Sequence, residues 1–196
     1  MKKIIVLTAI IMLVASFAGA TPIESINANY LLGIFTPTGG TYGLGALNVN
    51  DTAQIVVEDI YNVQTTHPAN AFMLNVSLYQ DNSVGAIADG LFANGTLVIN
   101  SLLSADILPL QLTELYNNSG ILAGIGTLQV TGGSLAADFG SLGDIVQITF
   151  SVTPSSINDF SQRFSGISNI TLTPTPEPVT IMLLGLGGLV ALRKRN

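Results

Sequence analysis

The sequence predicts a mainly β protein: a single antiparallel β-sandwich or barrel-like domain, flanked by an N-terminal signal helix and a C-terminal transmembrane helix. Three observations predict it. Apolar and polar residues alternate with a period of two in segments such as Phe72 to Leu78 and Val146 to Val152, which gives each segment one face for a core and one for water. Clusters of Gly, Asn, Asp and Pro recur roughly every 8 to 15 residues, the punctuation of short antiparallel strands. Two charge-free apolar runs, Ile4 to Phe17 and Val179 to Leu192, lie near the two ends, each next to basic residues.

The first element is an address. Lys2 and Lys3 precede Ile4 to Phe17, in which only Thr8 and Ser16 are polar, and Ala18-Gly19-Ala20 follows. Ala18 and Ala20 put small side chains where a signal peptidase must accommodate them, so residues 1–20 read as a secretory signal peptide cleaved after Ala20.

The body, residues 21–173, is long enough to bury about two thirds of its unfolded surface in one core. Strands are expected at Tyr30 to Phe35, Gln54 to Ile60, Phe72 to Leu78, Thr96 to Asn100, Leu108 to Leu115, Thr127 to Thr131, Val146 to Val152 and Asn169 to Leu172. Turns are expected at Pro37 to Gly40, His67-Pro68, Asp89-Gly90, Asn94-Gly95, Asn117 to Gly120, Gly132-Gly133 and Gly143-Asp144, with Asn94-Gly95 between two apolar runs read as a hairpin. Short helices are expected at Ser101 to Ile107 and at Ser155 to Phe164, the second with Ser155 or Ser156 as its cap.

At the C-terminal side, Val179 to Leu192 is uncharged and almost wholly apolar and runs into Arg193, Lys194 and Arg195. As a helix these residues would measure roughly 21 Å, short of the roughly 30 Å hydrocarbon core. The segment is therefore read as a membrane element that works by thinning the bilayer locally, or as a processing signal, with the basic residues 193–195 acting as a cytoplasmic stop.

Ahead of this segment stands Thr173-Pro174-Thr175-Pro176-Glu177-Pro178. The order Pro176-Glu177-Pro178, glycine-punctuated apolar stretch, then Arg193-Lys194-Arg195 closely resembles the PEP-CTERM sorting signal of exported bacterial proteins. The resemblance is confined to about residues 174–196. It implies an exosortase-type transpeptidase as partner, processing at or near residues 176–178, and a cell-surface or extracellular destination in bacteria that make exopolysaccharide. The prolines keep the linker 174–178 extended and out of any sheet.

Composition narrows the chemistry. Hydrophobic residues make up 48% of the 196 and charged residues only 9%, with no cysteine. Intrinsic disorder, disulfides, thiolate-held metals and thiol nucleophiles are thereby excluded. The formal charge is -6, and it becomes -8 without Lys2 and Lys3 and -11 once residues 193–195 are also removed. The exported part then carries Arg163 as its one basic side chain, so nucleic acid is excluded as a partner.

The candidate chemistry in the body is sparse. His67, the only histidine, has no Gly-x-Ser-x-Gly elbow to serve, and no catalytic residue is assigned. Paired carboxylates for glycoside hydrolysis would come from Glu58, Asp59, Glu114 and Asp138, but no tryptophan offers a sugar platform. Sugar binding without catalysis would use Tyr30, Tyr42, Tyr61, Tyr79 and Tyr116. No metal site is assigned. Calcium is the cofactor best suited to the oxygen-rich runs Asn48 to Asp51 and Asp81 to Ser83, yet neither matches an EF-hand loop and turn formation accounts for both. Gly124-Ile125-Gly126 reads as a bulge or bend.

The expectation is thus a non-enzymatic exported protein, membrane-tethered until it is processed and associated with extracellular polysaccharide. A carbohydrate-binding module is the alternative, and a secreted hydrolase the third reading.

Overall fold

The computed structural model describes residues 22–38, 44–85, 87–117, 119–139, 142–154, 157 and 159–175. Eight strands follow one another: β1 (Ile23–Pro37), β2 (Gly45–Asp59), β3 (Gln64–Asp81), β4 (Asp89–Ile99), β5 (Leu103–Glu114), β6 (Leu122–Gly132), β7 (Ile145–Pro154) and β8 (Phe164–Pro174). Each pairs antiparallel with the next, and β8 returns to β1, closing an up-and-down barrel. Closure leaves no free sheet edge. Each of the eight expected strands lies largely within a different one of these strands, and of the two architectures expected the closed barrel is the one formed.

Period-two alternation builds the wall. In β7, Val146, Ile148, Phe150 and Val152 are buried while Gln147, Thr149, Ser151 and Thr153 face outward. The same pattern puts Leu103, Ala105, Ile107, Leu110 and Leu112 of β5 inside. Large side chains fill the interior, Phe35, Phe72, Phe92 and Phe150 among them. Each contributes roughly 1.5–3 kcal/mol by leaving water. The outward positions of β6 to β8 are mostly Thr, Ser, Gln and Asn. This is the reverse of a membrane barrel, which is apolar outside. Among the described residues, no helix is long and apolar enough to cross a membrane.

The barrel has two unlike ends. One, the exit end, carries the start of β1, the end of β8 and the connections β2–β3, β4–β5 and β6–β7. The other, the far end, carries the connections β1–β2, β3–β4, β5–β6 and β7–β8. Each is closed by a loop. At the exit end the β6–β7 connection folds inward, burying Ala136 and Phe139. Backbone bonds from Ile23 N to Asp138 O (2.9 Å), Ser134 N to Ser101 O (2.9 Å) and Leu135 N to Leu102 O (2.9 Å) tie it down. At the far end Phe160 of the β7–β8 connection meets Phe35 and Phe92 edge-on at 5.3 and 5.4 Å and Phe164 at 6.1 Å.

Several local expectations need correction. Ser101 to Ile107 is not helical: Ser101 and Leu102 turn, and Leu103 onward is β5. The inward-outward alternation of Leu103, Ser104, Ala105, Asp106 and Ile107 outweighs their helical propensity. In the stretch Ser155 to Phe164, residues 159–162 form a turn and bend and Phe164 opens β8. No described residue there is helical. Asn94-Gly95 is not a hairpin but a bulge inside β4, where Asn94 has φ 55° and the β3 register slips between Asn75/Thr96 and Ser77/Ala93. A Cβ on Gly95 would sit 2.2 Å from Asn75 O, so only glycine fits. His67-Pro68 lies within β3, not in a turn. Pro68 and Ala69, the latter at φ 51°, form a bulge opposite Gln54, the one setting in which a sheet interior tolerates proline. Asp89-Gly90 opens β4.

The signal-peptide residues Ala18 and Ala20, the motif Pro176, Glu177 and Pro178, the apolar run 179–192 and the basic residues Arg193, Lys194 and Arg195 lie outside the described residues. So does Tyr42.

Candidate functional site

The far end gathers the polar chemistry of the barrel. Asp89, the first residue of β4, accepts hydrogen bonds at Oδ1 from Gln111 Nε2 (3.0 Å) and Thr113 Oγ1 (2.8 Å) on β5. Its N–H donates to Ser83 Oγ (3.0 Å). Asp81, at the end of β3, accepts from Ser83 N at 3.0 Å and from Phe160 N at 3.4 Å. It thus fixes its own turn and steadies the aromatic lid. Asp159, beside that lid, is held below the usual carboxylate range by the Ser161 hydroxyl and then by the Ser161 N–H.

Glu114, the last residue of β5, is only 3% exposed. Its Oε1 accepts from Gly120 N (3.1 Å) and Ser119 Oγ (3.4 Å), while Oε2 is buried with no partner. Gly120 reaches this carboxylate with φ 62°, a conformation for which the Asn117 to Gly120 turn is suited.

Aromatic side chains flank this end. Tyr79 near the end of β3 and Tyr116 just after β5 are each 65% exposed, two strands apart on the same end of the barrel. Val84, Ile87 and Leu115 are also exposed, and all five lie at the barrel end that carries Asp81 and Asp89. Flat rings next to oxygen acceptors can stack on a sugar face and accept from its hydroxyls.

Other candidate residues are dispersed. Tyr61 lies at the exit end, in the β2–β3 turn. Tyr30, on the barrel wall, has φ 62° at a bulge where β1 carries one residue more than β8. That bulge engages Asn169, whose Oδ1 accepts from Tyr30 N (3.2 Å), and the calcium candidate Asp51, whose Oδ2 accepts from Leu32 N (2.9 Å). The N–H groups of Leu32 and Thr52 hold the Asp51 carboxyl below its usual range. In the two oxygen-rich runs considered for calcium, Asp51 and Asp81 accept from backbone N–H groups, and Asn48 and Asn82 accept from the side chains of Asn75 and Gln80. No group of three or more His, Asp or Glu able to hold a metal is present among the described residues.

The four carboxylates considered for hydrolysis are divided between the ends. Glu58, Asp59 and Asp138 are at the exit end and Glu114 at the far end. Strands of 10 or more residues separate Glu114 from the other three, on the order of 25–30 Å at about 3.3 Å per residue with tilt. A glycosidase pair needs about 5–9.5 Å. Asp59 is moreover committed to its turn, accepting from Tyr61 N (2.8 Å) and Val63 N (2.9 Å). His67 is half-buried in β3 opposite Ile55. Gly124 and Gly126 lie in β6 against β5, where a Cβ would fall 1.8 Å from Gln111 O and 2.8 Å from Pro109 O respectively.

Sequence reasoning singled out Tyr79, Tyr116 and Asp81 but not Asp89, which joins the β3–β4 connection to β5. Its signal, an Asp-Gly pair, also marks a turn. Compared with protein-family models, curated proteins and solved structures, the chain gives no match.

Proposed function

We propose that this is an exported bacterial surface or matrix protein, non-enzymatic, delivered through its two terminal signals and associated with exopolysaccharide. Residues 1–20 start export. The apolar run 179–192, with Arg193, Lys194 and Arg195, holds the chain in the membrane, and Pro176-Glu177-Pro178 offers the processing site to an exosortase-type transpeptidase.

One observation supports this most: β1 begins and β8 ends side by side at one end of a closed barrel, with Ile26 paired to Leu172. A domain tethered at that end presents its other end outward, unobstructed by its own termini. Intact-mass spectrometry of membrane and medium fractions from the native host tests the reading, against a strain lacking the sorting enzyme. The expected medium form starts at Thr21, ends near Pro176 to Pro178 and disappears in the mutant. A form that keeps residues 193–195 in both strains would refute sorting.

A carbohydrate-binding role is the second reading, favoured by the paired exposure of Tyr79 and Tyr116 beside Asp81 and Asp89. Pull-down on the host's own polysaccharide is expected to fall about tenfold or more in Tyr79→Ala and Tyr116→Ala, in line with about 1.4 kcal/mol or more per lost stacking contact. Tyr30→Ala, on the wall, serves as the control.

A further inference from the structure

The exit end carries an apolar arc on the same half of its rim as both chain ends. Pro22, where the chain enters β1, accepts a hydrogen bond from Ile60 N at 3.2 Å. Ile60, Tyr61 and Val63 of that turn are all exposed, Tyr61 by 72%. Thr175, where the chain leaves β8, donates its hydroxyl to Ile145 O. Beside it Ile145 is partly exposed and Leu142 70% exposed. Around the opposite part of the rim the β4–β5 turn shows water Asn100 and Ser101 instead. Five exposed apolar or aromatic side chains therefore flank the two chain exits.

Chain length says what this arc meets. Residues 175–178 separate β8 from Val179, the first residue of the apolar run. Even fully extended, four residues reach only about 14 Å. We propose that the exit rim is a membrane-docking face: while the tail is attached, Ile60, Tyr61, Val63, Leu142 and Ile145 rest in the interfacial layer of the bilayer that holds residues 179–192. The inference rests on the membrane tethering proposed above. Tyrosine suits the interface, having an apolar ring and a polar tip. Glu24, Glu58, Asp59, Asp138 and Asp144 are charged residues at this end, all acidic, and no Lys or Arg is described there. The face thus fits a zwitterionic surface and not an anionic one. Docking would fix the barrel upright, with Tyr79 and Tyr116 pointing away from the membrane.

The chain has no tryptophan, so a single introduced one is an unambiguous reporter. Tyr61→Trp, Leu142→Trp and Tyr116→Trp would be made in the full chain and reconstituted with phosphatidylcholine vesicles bearing a doxyl quencher in the acyl chain. Flotation of the vesicles reads tethering separately. The expected result is flotation of all three, with blue-shifted, quenched emission from Tyr61→Trp and Leu142→Trp and unquenched, solvent-like emission from Tyr116→Trp. Replacing the lipid by phosphatidylglycerol is expected to reduce the quenching at both exit-end positions. Flotation with no quenching at either would overturn docking and leave tethering standing, whereas failure to float would overturn both. A blue shift that appears without vesicles and grows with protein concentration would assign the rim to a second copy of the chain and overturn the proposal.

Discussion

The two ends of the barrel are closed by different means. At the exit end the β6–β7 connection is held by backbone hydrogen bonds to β1 and to the β4–β5 turn, with Phe139 as its apolar plug. At the far end the described residues of the β7–β8 connection are anchored by side-chain packing, with Ile157 buried in the core and Phe160 against Phe35, Phe92 and Phe164, and the Phe160 N–H donates to Asp81 at 3.4 Å. A lid tied by backbone keeps its path when a side chain is lost. A lid anchored by side chains depends on each of them. The difference places the lid anchored by side chains at the end that carries Tyr79, Tyr116 and the Asp81 and Asp89 carboxylates, and the lid anchored by backbone hydrogen bonds at the end where β1 begins and β8 ends.

The largest expected effect tests this directly. Phe160→Ala and Phe139→Ala should each cost about 3–5 kcal/mol in urea unfolding, because each empties a fully buried ring position. Their hydrogen-exchange maps should differ. Phe160→Ala should release amides 159–164, whereas Phe139→Ala should leave Ser134, Leu135 and Ile23 protected by their backbone partners. Equal release at both ends would erase the distinction.

Next comes the turn that carries the apolar arc. Asp59 fixes it through the Tyr61 and Val63 N–H groups, so Asp59→Ala should cost about 1–2 kcal/mol, read as a lower urea midpoint. It should also lessen quenching of a tryptophan placed at Tyr61, with no change at Tyr116. A midpoint that does not move would mean the backbone holds this turn unaided, as Ile60 N to Pro22 O and Asp59 N to Val63 O would allow.

A gain is expected in the wall between the ends. Ser168 in β8 is fully buried and its hydroxyl has no partner, lying where a Cβ on Gly33 would come within 2.4 Å. Ser168→Ala removes that unpaired group and should raise stability by about 1 kcal/mol. A loss of similar size would mean that the oxygen's packing over Gly33 outweighs its desolvation.

Much of this barrel is legible in the sequence because its wall obeys one rule. Inward apolar and outward polar residues alternate over long stretches of it, so Val146 to Val152 and Phe72 to Leu78 reveal strand and face together. Closure is not legible, since the pairing of β8 with β1 joins residues about 140 apart and a sandwich would use the same alternation. Bulges mislead in a specific way. Asn94-Gly95 and His67-Pro68 carry turn chemistry because a bulge needs the same positive φ or missing donor as a turn, and only the partner strand decides between them. The far-end cluster was half visible: the tyrosines and Asp81 stand out by type, whereas Asp89 acquires its role from Gln111 and Thr113 on a neighbouring strand. The burial of Glu114 follows from a turn that folds back over it.

The smallest effect separates the two lids by acid. Asp159 lies beside the far-end lid with its carboxyl held below the usual carboxylate range by the Ser161 hydroxyl and then the Ser161 N–H. A carboxylate whose native pKa is depressed contributes stability that is fully present above its unfolded value and is lost as pH falls through the lower native one. The contribution of Asp159 is therefore intact at neutral pH and fades below about pH 4. Because the group is largely exposed, solvent screening limits it to about half a kcal/mol. The backbone bonds of the exit-end lid carry no titrating group and have no counterpart to this loss. Asp159→Asn should accordingly flatten the fall of Tm with acid below about pH 4, at little cost near neutrality. Asp51→Asn should flatten it over the same window through the β1 bulge, since Leu32 and Thr52 depress that carboxyl in the same sense. In a wild-type titration followed by NMR, residues 159–164 should shift with the Asp159 carboxyl while the Ser134 and Leu135 amides of the exit-end lid stay still. Simultaneous movement of both lids would show that the barrel transmits the change from end to end and that its two closures act as one.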